Sequence, residues 1–401
     1  MNTTHEDQPN DIVIVEGART PIGKFNGSLS GFTATDLGGM AMAGALAASG
    51  VAADDVDKVV MGHVLTAGEG QSAARNAAVK GGLPLHTDAV TVNKVCLSGL
   101  QAINYASMLL QTDQAKVVVA GGMESMSNSP HLLMKSRRGY GYGNSELVDS
   151  LQFDGLTCAI ESKIMGEATD LYAMAKTIDR DAQDAYAAQS HDRAARAIKD
   201  GILESEIVPV SVPQRRADPI EFVADEGVRS GTDAASLGGL RPAFNADGVI
   251  TAGNASQLSD GGSAMIVTTR ARAEEMGVGV LATVLGYGMV AGPDNCSLLH
   301  QPSRAIQAAA ERAGLAAGDI ELFEINEAFA AVAIGSMSEL GITDENVNVN
   351  GGAIAVGHPL GMSGNRIALT LAHELRRRGG GIGAAGLCGG GGQGDALILK
   401  V

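Results

Sequence analysis

Short apolar runs recur along the chain, separated by stretches in which small apolar residues return at helical spacing. Asp11-Ile-Val-Ile-Val15 predicts a first strand covered on both faces. A helix rich in small residues is expected over Thr35–Ala48, ending before Gly50. Further strands are expected over Val56–Met61 and Ala115–Ala120, the latter running into Gly121-Gly122. Strands alternating with helices predict an α/β layer architecture. From Ser125 to Pro242 the texture changes, as charges, tyrosines and prolines interrupt the apolar runs. One strong helix is expected there, Asp181–Asp200, stopped by Gly201. Hydrophobic anchors recur through the region, which therefore reads as an insertion or cap over the main fold instead of a linker. The compact pattern returns after Thr251, with a helix capped by Ser303 and running to Gly314, then a strand Glu321–Ile325 that exits through Asn326.

A weak internal symmetry runs through this pattern. Val90-Thr-Val-Asn93 leads to Cys96-Leu-Ser-Gly99, and Val347-Asn-Val-Asn350 leads through a longer loop to Gly361-Met-Ser-Gly364. Both end in an apolar helical pattern. A duplicated α/β unit accounts for this and turns Cys96 and the loop of the 350s toward one another.

Length and composition narrow the picture. A chain of 401 residues exceeds one ordinary core, so two or three domains or a duplicated fold are expected. With 54 glycines, 3% aromatics and no tryptophan, small residues must do much of the packing. A net charge of -16 without a basic tail argues against a nucleic-acid partner. The start, MNTTHEDQPN, has neither the basic end nor the apolar stretch of a secretory signal, and no apolar run approaches membrane-spanning length, so no membrane partner is expected. Cysteines at 96, 158, 296 and 388 show no short ligand spacing, which argues against a structural metal. A reducing cytoplasm fits best, although spacing alone leaves a disulfide open.

Four segments carry candidate chemistry. Cys96 lies at the start of an expected helix, where free N–H groups and the helix dipole would lower a thiol pKa; the alternative is a packed cysteine. His358, between Gly357 and Pro359, is expected on a turn with an accessible ring and suits a base, or else is structural. Asn326 either caps the following helix or orients a water or His358. Cys388-Gly-Gly-Gly-Gly-Gln-Gly394 is either an anion-holding nest beside a second thiol or a glycine hairpin. Gly381-Ile-Gly-Ala-Ala-Gly386 matches a dinucleotide-binding string, yet it follows the basic helix end Arg376-Arg-Arg378 and no helix is expected after it.

Together these segments closely resemble the thiolase family. The matching strings are VCLSG at 95–99, GGMESMS at 121–127, TAGNASQLSDG at 251–261, NEAFA at 326–330, GGAIAVGHPLGMSG at 351–364 and CGGGGQGDA at 388–396, in family order across nearly the whole chain. The resemblance implies a duplicated five-layered α-β-α-β-α fold. Its halves would be 1–124 with 250–273, and 274–401, with an inserted loop domain at 125–249 for acyl-CoA binding. It implies Cys96 as the acylated nucleophile, His358 as its base, Cys388 as the second acid/base and Asn326 as holder of a water that, with His358, stabilises an enolate oxygen. The N–H groups of Cys96 and Gly390 would form the oxyanion hole. Ser256 would contact the pantetheine arm of coenzyme A, and Met165 would fit a short-acyl pocket.

The implied reaction is the reversible Claisen condensation of two acetyl-CoA to acetoacetyl-CoA and coenzyme A. No metal or cofactor is implied, since the coenzyme A thioesters are substrates. A homotetramer is implied, with a homodimer as the alternative, and Leu133–Tyr142 resembles the loops through which biosynthetic tetramers associate. Leu97 stands where the family often has glycine, and Ile164 where acetyl-specific members often have histidine. Both leave open a degradative 3-ketoacyl-CoA thiolase of broad chain length. A non-catalytic acyl-CoA-binding scaffold is the alternative of a different class, opposed by the joint presence of Cys96, Asn326, His358 and Cys388.

Overall fold

The computed structural model describes residues 6–293 and 295–401. The first five residues of the polar start noted above therefore lie outside the described residues.

Strand β1 (Ile12–Arg19) and the two-residue β2 (Gly23–Lys24) precede helix α1 (Ala34–Ser49). Thr33 caps that helix reciprocally with Asp36, and Gly50 closes it at φ 71°. There follow β3 (Lys58–Gly62), α2 (Ala73–Lys80), β4 (Asp88–Val92), α3 (Ser98–Gln111) and β5 (Val117–Ser125).

Three small hairpins come next: β6 (His131–Leu132) with β7 (Val148–Asp149), β8 (Thr157–Cys158) with β9 (Lys163–Ile164), and later β10 (Val210–Val212) with β11 (Ile220–Phe222). Around them run α4 (Met165–Ala175), α5 (Arg180–Lys199) and α6 (Ala234–Gly238).

The remainder is β12 (Ser259–Thr269), α7 (Arg270–Met276), β13 (Ala282–Ala291), α8 (Gln301–Arg312), β14 (Leu322–Ile325), α9 (Ala330–Leu340), α10 (Ala353–Val356), α11 (Leu360–Arg378), β15 (Ile382–Gly389) and β16 (Gln393–Lys400). Helix α8 begins before Ser303, which is not its cap. Pro302 sits in the first turn, where its missing N–H costs nothing, and the Ser303 hydroxyl instead faces two acceptors, His300 O and the Glu339 carboxylate, with one proton to give.

The main sheet runs β14-β15-β16-β13-β1-β12-β5-β3-β4. In one half, β4, β3 and β5 are parallel, and β12 and β1 follow antiparallel. In the other, β14 and β15 are parallel, and β16 and β13 follow antiparallel. Within the sheet the halves join where Val13 pairs with Thr283 and Ile14 with Ala282. A parallel bridge between Phe323 and Val347 repeats, beside β14, the place of β4 beside β3. The pair β5–β12 thus corresponds to β15–β16. The first pair encloses residues 126–258, whereas the second is closed by a glycine turn.

Layers follow from where the apolar faces go. Helices α1 and α2 cover the outer face of one half, with Met42 of α1 in one cluster with Val13, Val119 and Ile266 of the sheet. Helix α8 covers the outer face of the other half and α9 packs against it, over Ile306, Phe323 and Ile398. Between the halves lie α3 and α11, with Leu100, Ile103, Leu369 and Leu371 in the central core. Leu360–Leu375 is buried on every side, as a middle layer requires. A Cβ on Gly99 would lie 2.7 Å from Asn365 N, and one on Gly364 would lie 2.4 Å from Leu100 N. The two helices therefore meet backbone to backbone at the two Ser-Gly pairs. Among the described residues, no helix is long and apolar enough to cross a membrane.

Candidate active site

The turn between β4 and α3 carries Cys96. Before it, Val95 is held at φ 52°, a left-handed conformation that a β-branched residue rarely adopts. Side-chain bonds hold the turn beside its backbone ones: Lys94 N donates to Ser98 Oγ at 2.8 Å, the Ser98 hydroxyl donates to Val95 O at 2.6 Å, and Val95 N donates to Asn93 Oδ1 at 3.0 Å. Lys94 Nζ reaches across to buried Asp395 on β16 at 2.7 Å, and Asp395 also accepts from Tyr287 Oη at 2.6 Å. The turn is thus tied to the hairpin that bears Cys388.

Cys96 is half-buried and packs against the apolar cluster of Val64, Leu65, Met126, Leu151 and Leu360. Burial pushes its thiol up to about 12, and the charge of Glu124 adds to this. The N–H groups of Cys96 and Gly390 act in the opposite sense by hydrogen bonding to the sulfur. The expected low pKa is therefore not found. Cys96 stands two residues ahead of the first residue of α3, and the apolar surroundings outweigh the amides. Glu124 is buried and accepts from Val64 N, Leu65 N and Gly361 N, drawing the ends of β3 and β5 onto the start of α11. Burial raises its carboxyl to about 8.

His358 is buried, contrary to the accessible ring expected. Ala353–Val356 forms the short helix α10 in place of an open loop. Behind it the His358 N–H donates to Gln257 O at 3.1 Å. Its Nδ1 lies 2.6 Å from Ser363 Oγ and its Nε2 lies 3.5 Å from Asn326 Nδ2. Burial, with Arg366 behind it, pushes the imidazole down to about 3.

Asn326 does not cap a helix, because α9 begins only at Ala330. Its Oδ1 is buried and has no hydrogen-bond partner among the described residues. The neighbouring Glu327 accepts from Tyr186, Ser190, Asn348 and Ile354 N at 2.7–3.1 Å. That carboxylate locks Asn326, the loop of the 350s and α5 together.

Cys388 is fully buried at the end of β15, and burial, then the nearby Cys96, raises its pKa. It shares an apolar cluster with Met165, the first residue of α4. The glycine segment after it is a hairpin, with Gly391 and Gly392 at φ 80° and 72°. That hairpin also turns the Gly390 N–H toward the Cys96 sulfur. The string at 381–386 lies within β15 and leads to another strand. Ser256 lies against NEAFA, its N–H donating to Ala328 O at 3.1 Å. Leu97 points into the central core and packs on Gly389, whose Cβ would fall 2.6 Å from Leu97 Cγ.

Residues 12–271 match the family model for the thiolase N-terminal domain, and residues 278–401 match that for the thiolase C-terminal domain. The chain belongs to the thiolase family. It is 54% identical over 388 residues to a probable acetyl-CoA acetyltransferase of Mycolicibacterium smegmatis, covering 97% of this chain and 100% of that relative. It is 46% identical to an acetyl-CoA acetyltransferase of Cupriavidus necator, covering 97% and 99%. Among solved structures, the Bacillus anthracis acetyl-CoA acetyltransferase aligns with a TM-score of 0.94 at 37% identity, covering 98% of this chain and 100% of that one. Human mitochondrial 3-ketoacyl-CoA thiolase aligns with a TM-score of 0.92, also at 37% identity and covering 98% of each.

Within this thiolase, two groups of sequence-predicted site residues come together: Cys96 with Gly390 and Cys388, and His358 with Asn326. Met165 joins the first group, and Ser256 joins the loop of the second. Sequence reasoning passed over Val95, Glu124, Glu327 and Ser363. The repeated Ser-Gly pair was the available signal for Ser363, and the GGMES string for Glu124. Nothing local marked the strain at Val95 or the convergence on Glu327.

Proposed function

We propose that this thiolase is an acetyl-CoA C-acetyltransferase, working through an acetyl group carried on Cys96. The observation that carries the reading is Cys96 beneath two amides, its own and that of Gly390, with the second thiol of Cys388 beside it. Those amides suit an oxyanion formed when a thioester carbonyl is attacked. His358 takes the Cys96 proton as sulfur bonds to the acetyl carbon, and the departing coenzyme A thiolate takes the proton of Cys388. The Cys388 thiolate then removes an α-proton from a second acetyl-CoA. Its enolate oxygen is stabilised by protonated His358 and by a water on the unpaired Asn326 Oδ1. The new carbanion attacks acetyl-Cys96, acetoacetyl-CoA leaves, and His358 returns its proton to sulfur. Splitting the condensation through a covalent intermediate makes each step easier. No electron changes hands, so the chemistry calls on coenzyme A thioesters alone.

Short acyl chains are favoured by the wall near Met165. Phe244 meets Phe329 edge to face at 6.3 Å, and its ring fills the space beside Gly166, where a Cβ would lie 2.0 Å away. A broader range of 3-ketoacyl-CoA is the second reading. It is favoured by Ile164 in place of a polar residue and by the equally identical human relative. Ser256, on the segment against Ala328, is assigned to the pantetheine arm. A reducing cytoplasm suits an enzyme with two working thiols. A homotetramer is proposed through the segment that exposes Leu133, Met134, Tyr140 and Tyr142. Initial rates of thiolysis with acetoacetyl-CoA and with long-chain 3-ketoacyl-CoA test the reading. We expect kcat/KM to favour acetoacetyl-CoA by about tenfold or more, the scale that pocket complementarity supplies. A preference for the long chains would reject it.

A further inference from the structure

We infer that Asp395 is a positioning residue: through Lys94 it clamps the turn of Cys96 onto the hairpin of Gly390, and so sets the spacing of the two amides that receive the thioester oxyanion. The clamp is a matter of geometry, and its catalytic meaning rests on the acetyl-transfer reading.

The two amides belong to different halves of the fold. Cys96 lies between β4 and α3, whereas Gly390 lies in the turn between β15 and β16. No single element fixes their separation, which depends on how the halves meet. A polar bond crosses that junction, from Lys94 Nζ to Asp395 Oδ1 at 2.7 Å. Lys94 stands two residues before Cys96, and its ammonium also donates to Gln101 Oε1 on α3 at 3.0 Å. At the far end the anchor is rigid. Asp395 is fully buried on β16, paired with Leu387 of β15 on one side and Met289 of β13 on the other. Its second oxygen accepts from Tyr287 Oη at 2.6 Å, so both carboxylate oxygens are held.

Stability alone does not call for an acid here. Tyr287, Leu387 and Leu397, its neighbours in the sheet, belong to the central apolar core. A leucine at 395 would desolvate no charge, and a buried ion pair seldom improves on apolar packing. What a charge-assisted bond adds is direction. Two apolar contacts accompany it and lack that property. Leu97 packs on Gly389, and Val95 Cγ1 lies 3.3 Å from the place of a Cβ on Gly390. Val95 is also the residue at φ 52°, and such strain persists where the surroundings over-determine it.

The test compares two reactions of Cys96 in the same variants, acetylation by acetyl-CoA and alkylation by iodoacetamide. Acetyl transfer forms an oxyanion at the attacked carbonyl before coenzyme A leaves, whereas alkylation displaces iodide at carbon and forms none. In Asp395→Asn, acetylation should slow by about 10- to 100-fold, the scale of a displaced catalytic group, while alkylation changes by less than about threefold. The kcat for acetoacetyl-CoA thiolysis should fall with acetylation, with KM changed by less than about twofold. Equal slowing of both reactions in a folded variant would mark a merely structural acid and overturn the inference, and so would no slowing of either. If Asp395→Asn does not fold, Lys94→Met decides, because the Lys94 side chain is 21% exposed and its loss leaves the sheet intact; the same divergence is expected. Unmodified protein that is alkylated but never acetylated at Cys96 would reject the acetyl-transfer reading itself, before any variant is compared.

Discussion

In the proposed reaction Cys96 and His358 begin as a neutral pair, because burial drives them in opposite directions. It raises the thiol to about 12 and lowers the imidazole to about 3, so the proton stays on sulfur until an acyl donor arrives. The two amides at the sulfur are therefore worth most after attack, when the negative charge has moved to the thioester oxygen. This gives a testable profile. The rate at which iodoacetamide alkylates Cys96 in the free enzyme should keep rising with pH beyond the free-thiol value of about 8.5. A plateau near neutrality would show that an ion pair exists already. Residue types at the site were legible in the sequence, since two cysteines, a histidine before proline and an asparagine at a strand exit all stand in recognisable strings. Their protonation states were not legible. Those depend on what packs around each residue, and the cluster against which Cys96 packs draws Leu65, Met126 and Leu360 from three other segments.

The crossing of α3 over α11 sets the distance between the thiol turn and the histidine turn, and glycines set the crossing. At Gly99 a Cβ would press on Asn365 N at 2.7 Å and on Gly361 O at 2.8 Å, both backbone atoms that cannot yield singly. Gly99→Ala should destabilise the fold by about 1–3 kcal/mol and lower kcat as the two turns are forced apart. Urea unfolding and steady-state rates check both parts, and an Ala variant with unaltered stability and rate would contradict them. Strand and helix existence was legible from apolar runs and small-residue spacing, and the repeat was visible in VTVN and VNVN. The start of α8 and the helical turn α10 were missed for local reasons. Proline at the first turn outcompetes a serine cap one residue later, and Ala353–Val356 is as apolar as a strand.

Across the whole molecule, five buried ionisable groups give stability a pH optimum. His63, His191 and His358 are held neutral, at about 4, 4 and 3, whereas in the unfolded chain each gains a proton below about 6.5. Their contribution is complete above that value and is lost as pH falls. Glu124 and Glu324 are raised to about 8, so their contribution is present at low pH and is lost as pH rises from about 4.5 through 8. Among these five groups, three histidines outweigh two glutamates between about 4.5 and 6.5, and above that the glutamates act; buried Asp260 and Asp395, also raised by burial, add to the glutamates' side. Urea midpoints from pH 5 to 8 should pass through a maximum near 6.5, and a steady rise to pH 8 would contradict this balance. Assembly belongs to the same scale. Light scattering should give four chains, and Met134→Asp, at an exposed apolar site in the proposed contact, should give two. A wild-type monomer would remove that proposal. The central claim is that Cys96 carries the acetyl group, and it meets its most direct test in mass spectrometry of peptides after a brief exposure to acetyl-CoA and an acid quench. The account predicts acetyl on Cys96 and on none of Cys158, Cys296 or Cys388; an unmodified Cys96, or acetyl on another cysteine instead, would contradict it.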